Sequence, residues 1–449
     1  MFGRGLGLLV VLCGLAVGAR GDARLEAIVR GDGPAAALSG LQVSLLEGGT
    51  ATAGFAYGFA QLGPDGPVPL RRDHRVRVAS ISKLVVAIGV MRLVEQGRLD
   101  LDADVSETLG YTLRNPAYAD TPITARQLLT HTSSIRDGSA YFIPAGRGEM
   151  RDFFTPGGAF WDDGAHFAGE SGRGPGAFFT YANLGFGVLA ALIERATDQR
   201  FDLFMARSVL EPLGIAARFD PCAIGAGQLA AAFRKRASGE VWDPDGPWRP
   251  QVDAGTPRCF YGMDDLASAE DFLAGYEPGS NATLFSPQGG LRASADDLVV
   301  VLRMLAGGGV VDGRRILSEA SVAAMLAPEW TLASDGGNGL SAGEAEPGGP
   351  TEGLMTSYGL SVHRIDMRAW GFERGPALMV GHLGEAYGVL SHALLDPETG
   401  DGIATIITGT ADDPAVAQPG TSPLYRVEEE ILRWWLARRE AAGSPAPAP

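Results

Sequence analysis

Lysine is nearly missing from this chain. Of 37 basic residues in 449, only Lys83 and Lys235 are lysines, and arginine supplies the rest. Cysteine is as scarce, three in all, at Cys13, Cys222 and Cys259, too few and too scattered for a multi-cysteine zinc site. No His-Glu-x-x-His is present, so the sequence indicates no metal. Gly185-Phe186-Gly187 with Ala190 half-matches a dinucleotide fingerprint but lacks the apolar strand that must precede it, and no cofactor is expected. Positive charge is in deficit: the net charge of -16 argues against nucleic acid, because phosphate binding needs basic patches, and against docking on anionic lipid. The apolar stretch Leu6–Val17 is too short for a permanent membrane anchor. With Arg4 before it and Gly18-Ala19 after it, residues 1–19 read as a signal peptide, and a periplasmic or secreted protein is expected. Leu12 stands where a lipoprotein signal needs a small residue, which disfavours lipidation at Cys13. After cleavage, Cys222 and Cys259 would remain, to pair in an oxidising compartment or stay as buried thiols.

What is present is a soluble globular composition, 45% hydrophobic and 20% charged. A short helical stretch at Leu25–Val29 precedes a hairpin, Gln42–Leu46 with Thr52–Phe59 around Gly48-Gly49. Ile81–Val94 is apolar at nearly every position, the mark of a buried helix. Further helices are expected at Gln127–Leu129, Leu184–Ala196 and Asp296–Leu305, the last opened by Ser294 and closed by Gly307-Gly308-Gly309. Four strand-like runs follow, Tyr358–Ile365, Ala377–Gly381, Gly388–Leu395 and Ile403–Thr408, and Val427–Arg439 reads as a closing helix. Strands lie at both ends and helices in the middle. The expected fold is therefore α+β, an antiparallel sheet flanked by helices from both chain ends plus a central, mostly helical lobe. Within a single domain of residues 24–440, the sheet lobe is assigned to 24–110 and 355–440 and the helical lobe to 111–330. A flexible loop is placed at 331–353 and a disordered tail at 441–449.

The rarity of lysine makes Lys83 conspicuous. An arginine cannot give up its proton, whereas a buried lysine can act as a base. Ser80 stands three residues before it, one helical turn away on the same face, where the apolar helix begins. A helix N-terminus offers free N–H groups and a positive dipole end to a developing oxyanion. A plain N-cap would account for Ser80, but not for an amine entering a buried helix. Tyr181-Ala182-Asn183 precedes the helix from Leu184: a phenol can exchange protons, and an amide can hold a substrate carbonyl or orient the lysine. His382-Leu383-Gly384 closes the apolar run Ala377–Val380 and is read as a strand end with a tight glycine turn.

Ser80-x-x-Lys83, Tyr181-x-Asn183 and His382-x-Gly384 together resemble the serine β-lactamase and penicillin-binding-protein superfamily, nearest the class C β-lactamase-related hydrolases. Supporting stretches are Val78–Lys83, Gly97–Asp102, Ile123–Ile135, Gly289–Asp297 and Gly381–Gly384. The resemblance implies that Ser80 attacks a carbonyl with help from Lys83 and Tyr181. It further implies that the backbone N–H groups of Ser80 and Glu385 form an oxyanion hole, that Asn183 holds the substrate, and that water resolves an acyl-enzyme. His382, Gly384 and Glu385 become the substrate-binding strand. Three departures stand out. Lys-Thr-Gly is replaced by His382-Leu383-Gly384, and Glu385 adds a carboxylate; both disfavour anionic β-lactams and peptide tails. Ser134 stands where the family usually has glycine. The expected function is ester or amide hydrolysis on small, weakly charged substrates, by an esterase or peptidase. The alternatives are a β-lactamase or D,D-carboxypeptidase, and a non-catalytic sensor that acylates once. Other motifs point elsewhere without the context they need: Gly339-x-Ser341-x-Gly343 lacks the strand and helix of a nucleophile elbow, Asn281-Ala282-Thr283 is a glycosylation sequon, His131 reads as a structural histidine, and Lys235 as part of a surface cluster.

Overall fold

The structure, a computed structural model, describes residues 22–443 except 237–240, 256–262, 264–268, 344–348, 350 and 415–419. Alternating apolar residues near both ends of the chain zip into one nine-stranded antiparallel sheet. In spatial order its strands are Trp330–Thr331, Ser357–Tyr358, His363–Ile365, Met379–Ala386, Val389–Leu395, Gly402–Thr410, Leu38–Glu47, Thr50–Gly63 and Gly66–Pro69. The first hairpin turns at Gly48 and Gly49, whose φ of 55° and 77° suit the two-residue turn that matches strand twist, and Glu47 pairs with Thr50. The first long strand also pairs with the last, Val43 opposite Thr405, so the sheet is sewn from both termini. The α+β expectation is borne out.

Period-two alternation divides the apolar residues between two cores. Leu41, Val43, Leu45, Leu394, Ile403 and Ile407 face the helices Ala23–Arg30 and Arg426–Ala441, with Trp434 and Trp435 packed among them. Leu46, Val380, Val389, Ala393 and Ile406 face the other way, against Ile81–Glu95 and Ala295–Ala306. Ala295–Ala306 is opened by a reciprocal Ser294–Asp297 capping box. It packs on the sheet strands rather than in the central helical lobe, where its sequence position had placed it. Ile81–Glu95, buried on nearly every face, runs between the sheet and the helix Leu184–Thr197.

Several boundaries differ from the sequence reading. Tyr358–Ile365 is two short strands with Tyr358 opposite His363, reversed through Ser361 at φ 58°. The Ala377–Gly381 run continues to Ala386, and the chain reverses at Tyr387-Gly388, both with positive φ. His382-Leu383-Gly384 therefore lies inside a strand and not at its end. The 331–353 segment is tied to the core where it is described: Phe179 N–H donates to Asn338 C=O at 2.9 Å, and Met355 N–H to Ser341 C=O at 2.8 Å. The signal peptide assigned to 1–19 and the tail beyond Gly443 lie outside the described residues. Cys222 is disulfide-bonded; Cys259 lies outside the described residues. Asn281 of the sequon is buried and donates to Ile143 C=O at 2.9 Å, which keeps its amide from any modifying enzyme in the folded state.

Candidate active site

The turn before the buried helix is bent sharply. Ala79 has φ 48°, a left-handed conformation that side chains other than glycine adopt only when their surroundings enforce it. Ser82 Oγ donates to Ala79 C=O at 2.7 Å and accepts from Leu291 N–H at 3.0 Å, which pins the bend to the neighbouring segment. Ser80 follows in helical conformation and makes no side-chain cap bond. The N-cap reading of Ser80 therefore fails: its hydroxyl faces Lys83 Nζ at 3.0 Å.

Lys83 is fully buried. Its Nζ also donates to Asn183 Oδ1 at 2.8 Å and to Gln288 C=O at 2.9 Å. It stands 4.7 Å from the Tyr181 ring centre and 5.4 Å from that of Phe186. The amide oxygen and the carbonyl can only accept. A neutral amine here would spend both protons on them and turn its lone pair to Ser80; an ammonium would fill all three sites. Both protonation states are satisfied, and the site they differ at is the Ser80 hydroxyl.

Asn183 is held in turn by Asp137, which accepts from Asn183 Nδ2 at 2.9 Å and from Leu184 N–H at 2.8 Å. Asp137 thus caps the helix Leu184–Thr197, which its own N-cap residue Asn183 leaves without a side-chain bond. Asn183 thus orients Lys83 through Oδ1 while also bordering the smaller of the two cavities at Ser80. Neither Asp137 nor Gln288 stood out in the sequence, since each becomes significant only through packing.

Tyr181 lines the cavity that opens at Ser80. Its ring stacks on His131 with centres 4.2 Å apart. His131 Nδ1 accepts from Ala182 N–H at 3.1 Å, which leaves the proton on Nε2, facing the Tyr358 hydroxyl at 3.4 Å. His382 Nδ1 lies 2.6 Å from Leu383 C=O and must donate there, so its Nε2 accepts from the Tyr358 hydroxyl at 2.9 Å. These tautomers follow from the network. Burial, together with the Lys83 charge, holds both imidazoles well below their ordinary pKa, so the chain His131–Tyr358–His382 is neutral. His382 was expected to touch substrate. It is fully buried with both nitrogens committed and lines neither cavity at Ser80, so it braces the wall from behind.

Gly384 and Glu385 lie where the strand Met379–Ala386 passes Ser80. A Cβ on Gly384 would sit 2.6 Å from Val78 C=O and 3.1 Å from Ser80 N, so only glycine lets the strand approach the Ser80 turn. On this strand His363–Ile365 covers Met379–Gly381 alone, and beyond Gly381 the strand's outer edge opens into the cleft. Glu385 is exposed, accepts from the Tyr425 hydroxyl at 2.7 Å, and borders both cavities that meet at Ser80. The larger, about 350 Å³, runs past Tyr181, His363 and Leu383 to Tyr425 and Glu428. Ala342, Gly343 and Thr351 close one side of it, but Ser341 itself donates to Glu352. The smaller, about 300 Å³, runs past Tyr141 and Ser286 to Arg77. Arg77 donates to Ser286 Oγ at 2.8 Å and steadies the turn that presents Gln288.

The chain matches the family model described as Beta-lactamase over residues 25–422. It belongs to the beta-lactamase family. Within it, the chain is 33% identical over 162 residues to the esterase EstB of Burkholderia gladioli, across 33% of this chain and 38% of that one. It is 27% identical over 164 residues to the D-alanyl-D-alanine-carboxypeptidase/endopeptidase AmpH of Escherichia coli K12, across 35% and 40%. The chain thus spans about two-fifths of the length of these curated relatives. A D-amino acid amidase from Ochrobactrum anthropi shares its fold, with a TM-score of 0.60 at 20% identity over 93% of this chain and 96% of that one. Ser134, where the family usually has glycine, has φ 64°. That left-handed backbone is the reason a glycine suits the position.

Proposed function

We propose that this protein is a serine hydrolase that cleaves ester or amide bonds through an acyl-enzyme on Ser80. The observation that carries the reading is the contact of Ser80 Oγ with Lys83 Nζ, 3.0 Å long, with the other two bonds of Nζ made to obligate acceptors. Lys83 takes the hydroxyl proton as Ser80 attacks, and the proton passes to the leaving group by way of Lys83 or the Tyr181 phenol. The Ser80 and Glu385 N–H groups receive the oxyanion at the head of the buried helix. Water entering by the open strand edge releases the acyl group. The neutral His131–Tyr358–His382 chain, in place of a strand lysine, supports substrates other than anionic β-lactams. The likeness to an esterase and to a carboxypeptidase supports the choice of ester and amide bonds.

The test is intact-mass labelling with a fluorophosphonate, alongside turnover of p-nitrophenyl esters. One adduct on the wild type and none on Ser80→Ala is expected; an adduct on the alanine variant removes Ser80 from the nucleophile's place. Release of a single equivalent of nitrophenol would favour a sensor that acylates once. We also propose export through the segment 1–19, a reading supported by the disulfide at Cys222.

A further inference from the structure

The larger cavity has an acidic end. Glu428, on the first turn of Arg426–Ala441, is buried, and its carboxyl accepts one long bond, from Tyr425 N–H at 3.3 Å. Burial, and after it the Glu385 charge, pushes its carboxyl up to about 8. Glu385 and the Tyr425 hydroxyl stand beside it on the same wall. No lysine or arginine lines this cavity among the described residues.

A second observation points to a ligand in the same space. His363 is 2% exposed and lines the cavity, yet neither of its ring nitrogens has a hydrogen-bond partner. Its ring lies against His382, with centres 4.4 Å apart, and burial, aided by the Lys83 charge, lowers its pKa to about 3. It is therefore a neutral imidazole with a lone pair and an N–H to offer. A buried polar group left unpaired is costly, and a ligand with donors would satisfy it.

We propose that this cavity is a subsite for an ammonium group, and that the substrates are esters or amides carrying a primary amine a few bonds from the scissile carbonyl. The proposal deepens the serine hydrolase reading and rests on Ser80 as nucleophile. An ammonium has three donors and one positive charge, and the wall supplies two carboxyl groups and an imidazole lone pair. Binding would let Glu428 ionise against a counter-charge, in the manner of a charge-assisted hydrogen bond.

Two measurements test it, one of them independent of turnover. Calorimetric titration of Ser80→Ala with benzylamine and with benzyl alcohol should show the amine binding at least about tenfold more tightly, since a desolvated charge-assisted contact outweighs a neutral one. That preference should collapse to less than about twofold in Ser80→Ala/Glu428→Gln. In the wild type, kcat/KM for alanine p-nitrophenyl ester should exceed that for its N-acetyl derivative by about tenfold or more, or acetate esters of aminoethanol should exceed those of ethanol; His363→Phe should reduce the ratio. Equal binding of benzylamine and benzyl alcohol overturns the subsite even if neutral esters are hydrolysed, and then the hydrolase reading stands alone. Amine-selective binding without turnover of any ester would uphold the subsite and overturn the hydrolase.

Discussion

Replacing Asp137 with alanine tests whether the lysine is aimed from a distance. Asp137 lies outside both cavities, so it touches no substrate. Its carboxylate accepts from the Asn183 amide and from Leu184 N–H, two donors in a buried setting. Orphaning a buried donor costs about 1–3 kcal/mol, so the variant should lose roughly 2–6 kcal/mol of stability if neither group finds water. The catalytic effect runs through Asn183. Freed from Asp137, its amide no longer fixes Oδ1 at 2.8 Å from Lys83 Nζ, and the amine loses the acceptor that turns its lone pair toward Ser80. Misplacement of a catalytic group by about 1 Å costs on the order of a hundredfold. The expected outcome is a kcat for p-nitrophenyl acetate lowered by about 10² with KM nearly unchanged, beside a lower Tm. Asp137→Asn, which keeps one acceptor oxygen, should fall between. A Tm that drops while kcat stays within about twofold would show that Asp137 is only a helix cap and would refute the aiming argument. If the alanine variant does not fold, Asp137→Asn gives the same division between kcat and Tm.

Three other expectations concern the same walls. Lys83→Met should reduce ester turnover by about 10²–10⁴, the range of a lost general base, while Tm holds or rises because an apolar chain replaces a buried amine; intact turnover would remove Lys83 from the mechanism. Gly384→Val should depress both kcat and the rate of fluorophosphonate labelling by roughly 10²–10³, the scale of a damaged oxyanion site, because its side chain would meet Val78 C=O and Ser391 Oγ, each 2.6 Å from its Cβ. The folded state raises the Glu428 carboxyl from 4.5 to about 8, so it holds a proton there that the unfolded chain has released. Stability from this group is full below about pH 4.5 and is lost as pH rises through 8, by a few kcal/mol. Glu428→Gln should flatten the fall of Tm between pH 5 and 9, and an unaltered slope would mean that other groups set it.

Much of this arrangement is legible before folding. The contact between Ser80 and Lys83 follows from helical spacing, which places them one turn apart, and the first hairpin from Gly48-Gly49, which selects its turn. The strand from Met379 is harder: apolar composition ends at Val380, yet pairing continues to Ala386 because Gly384 and Ser391 fit against the nucleophile turn, a constraint that composition does not express. His382 misleads for a related reason. Its position in the motif implies a substrate contact, but its ring meets Tyr358, which comes from two strands away across His363–Ile365. Asp137, Gln288 and His363 are single residues whose meaning lies wholly in long-range packing; a lone aspartate 46 positions before Asn183 gives no local signal. The helix Ala295–Ala306 is recognised by Ser294 before it and the glycines after it, but the surface it covers is set by the sheet beneath it.

The central sheet joins the first strand of the chain to the last, Leu38–Glu47 beside Gly402–Thr410. During synthesis Ser80 and Lys83 emerge early, but the strand Met379–Ala386 that walls the cleft beside them arrives far later in the chain. A ribosome-bound chain halted before Met379 would hold a nucleophile without the second face of its cleft. Reactivity would then switch on at release rather than during elongation, and nascent chains stalled at successive lengths should take up fluorophosphonate only once the late hairpin has cleared the exit tunnel.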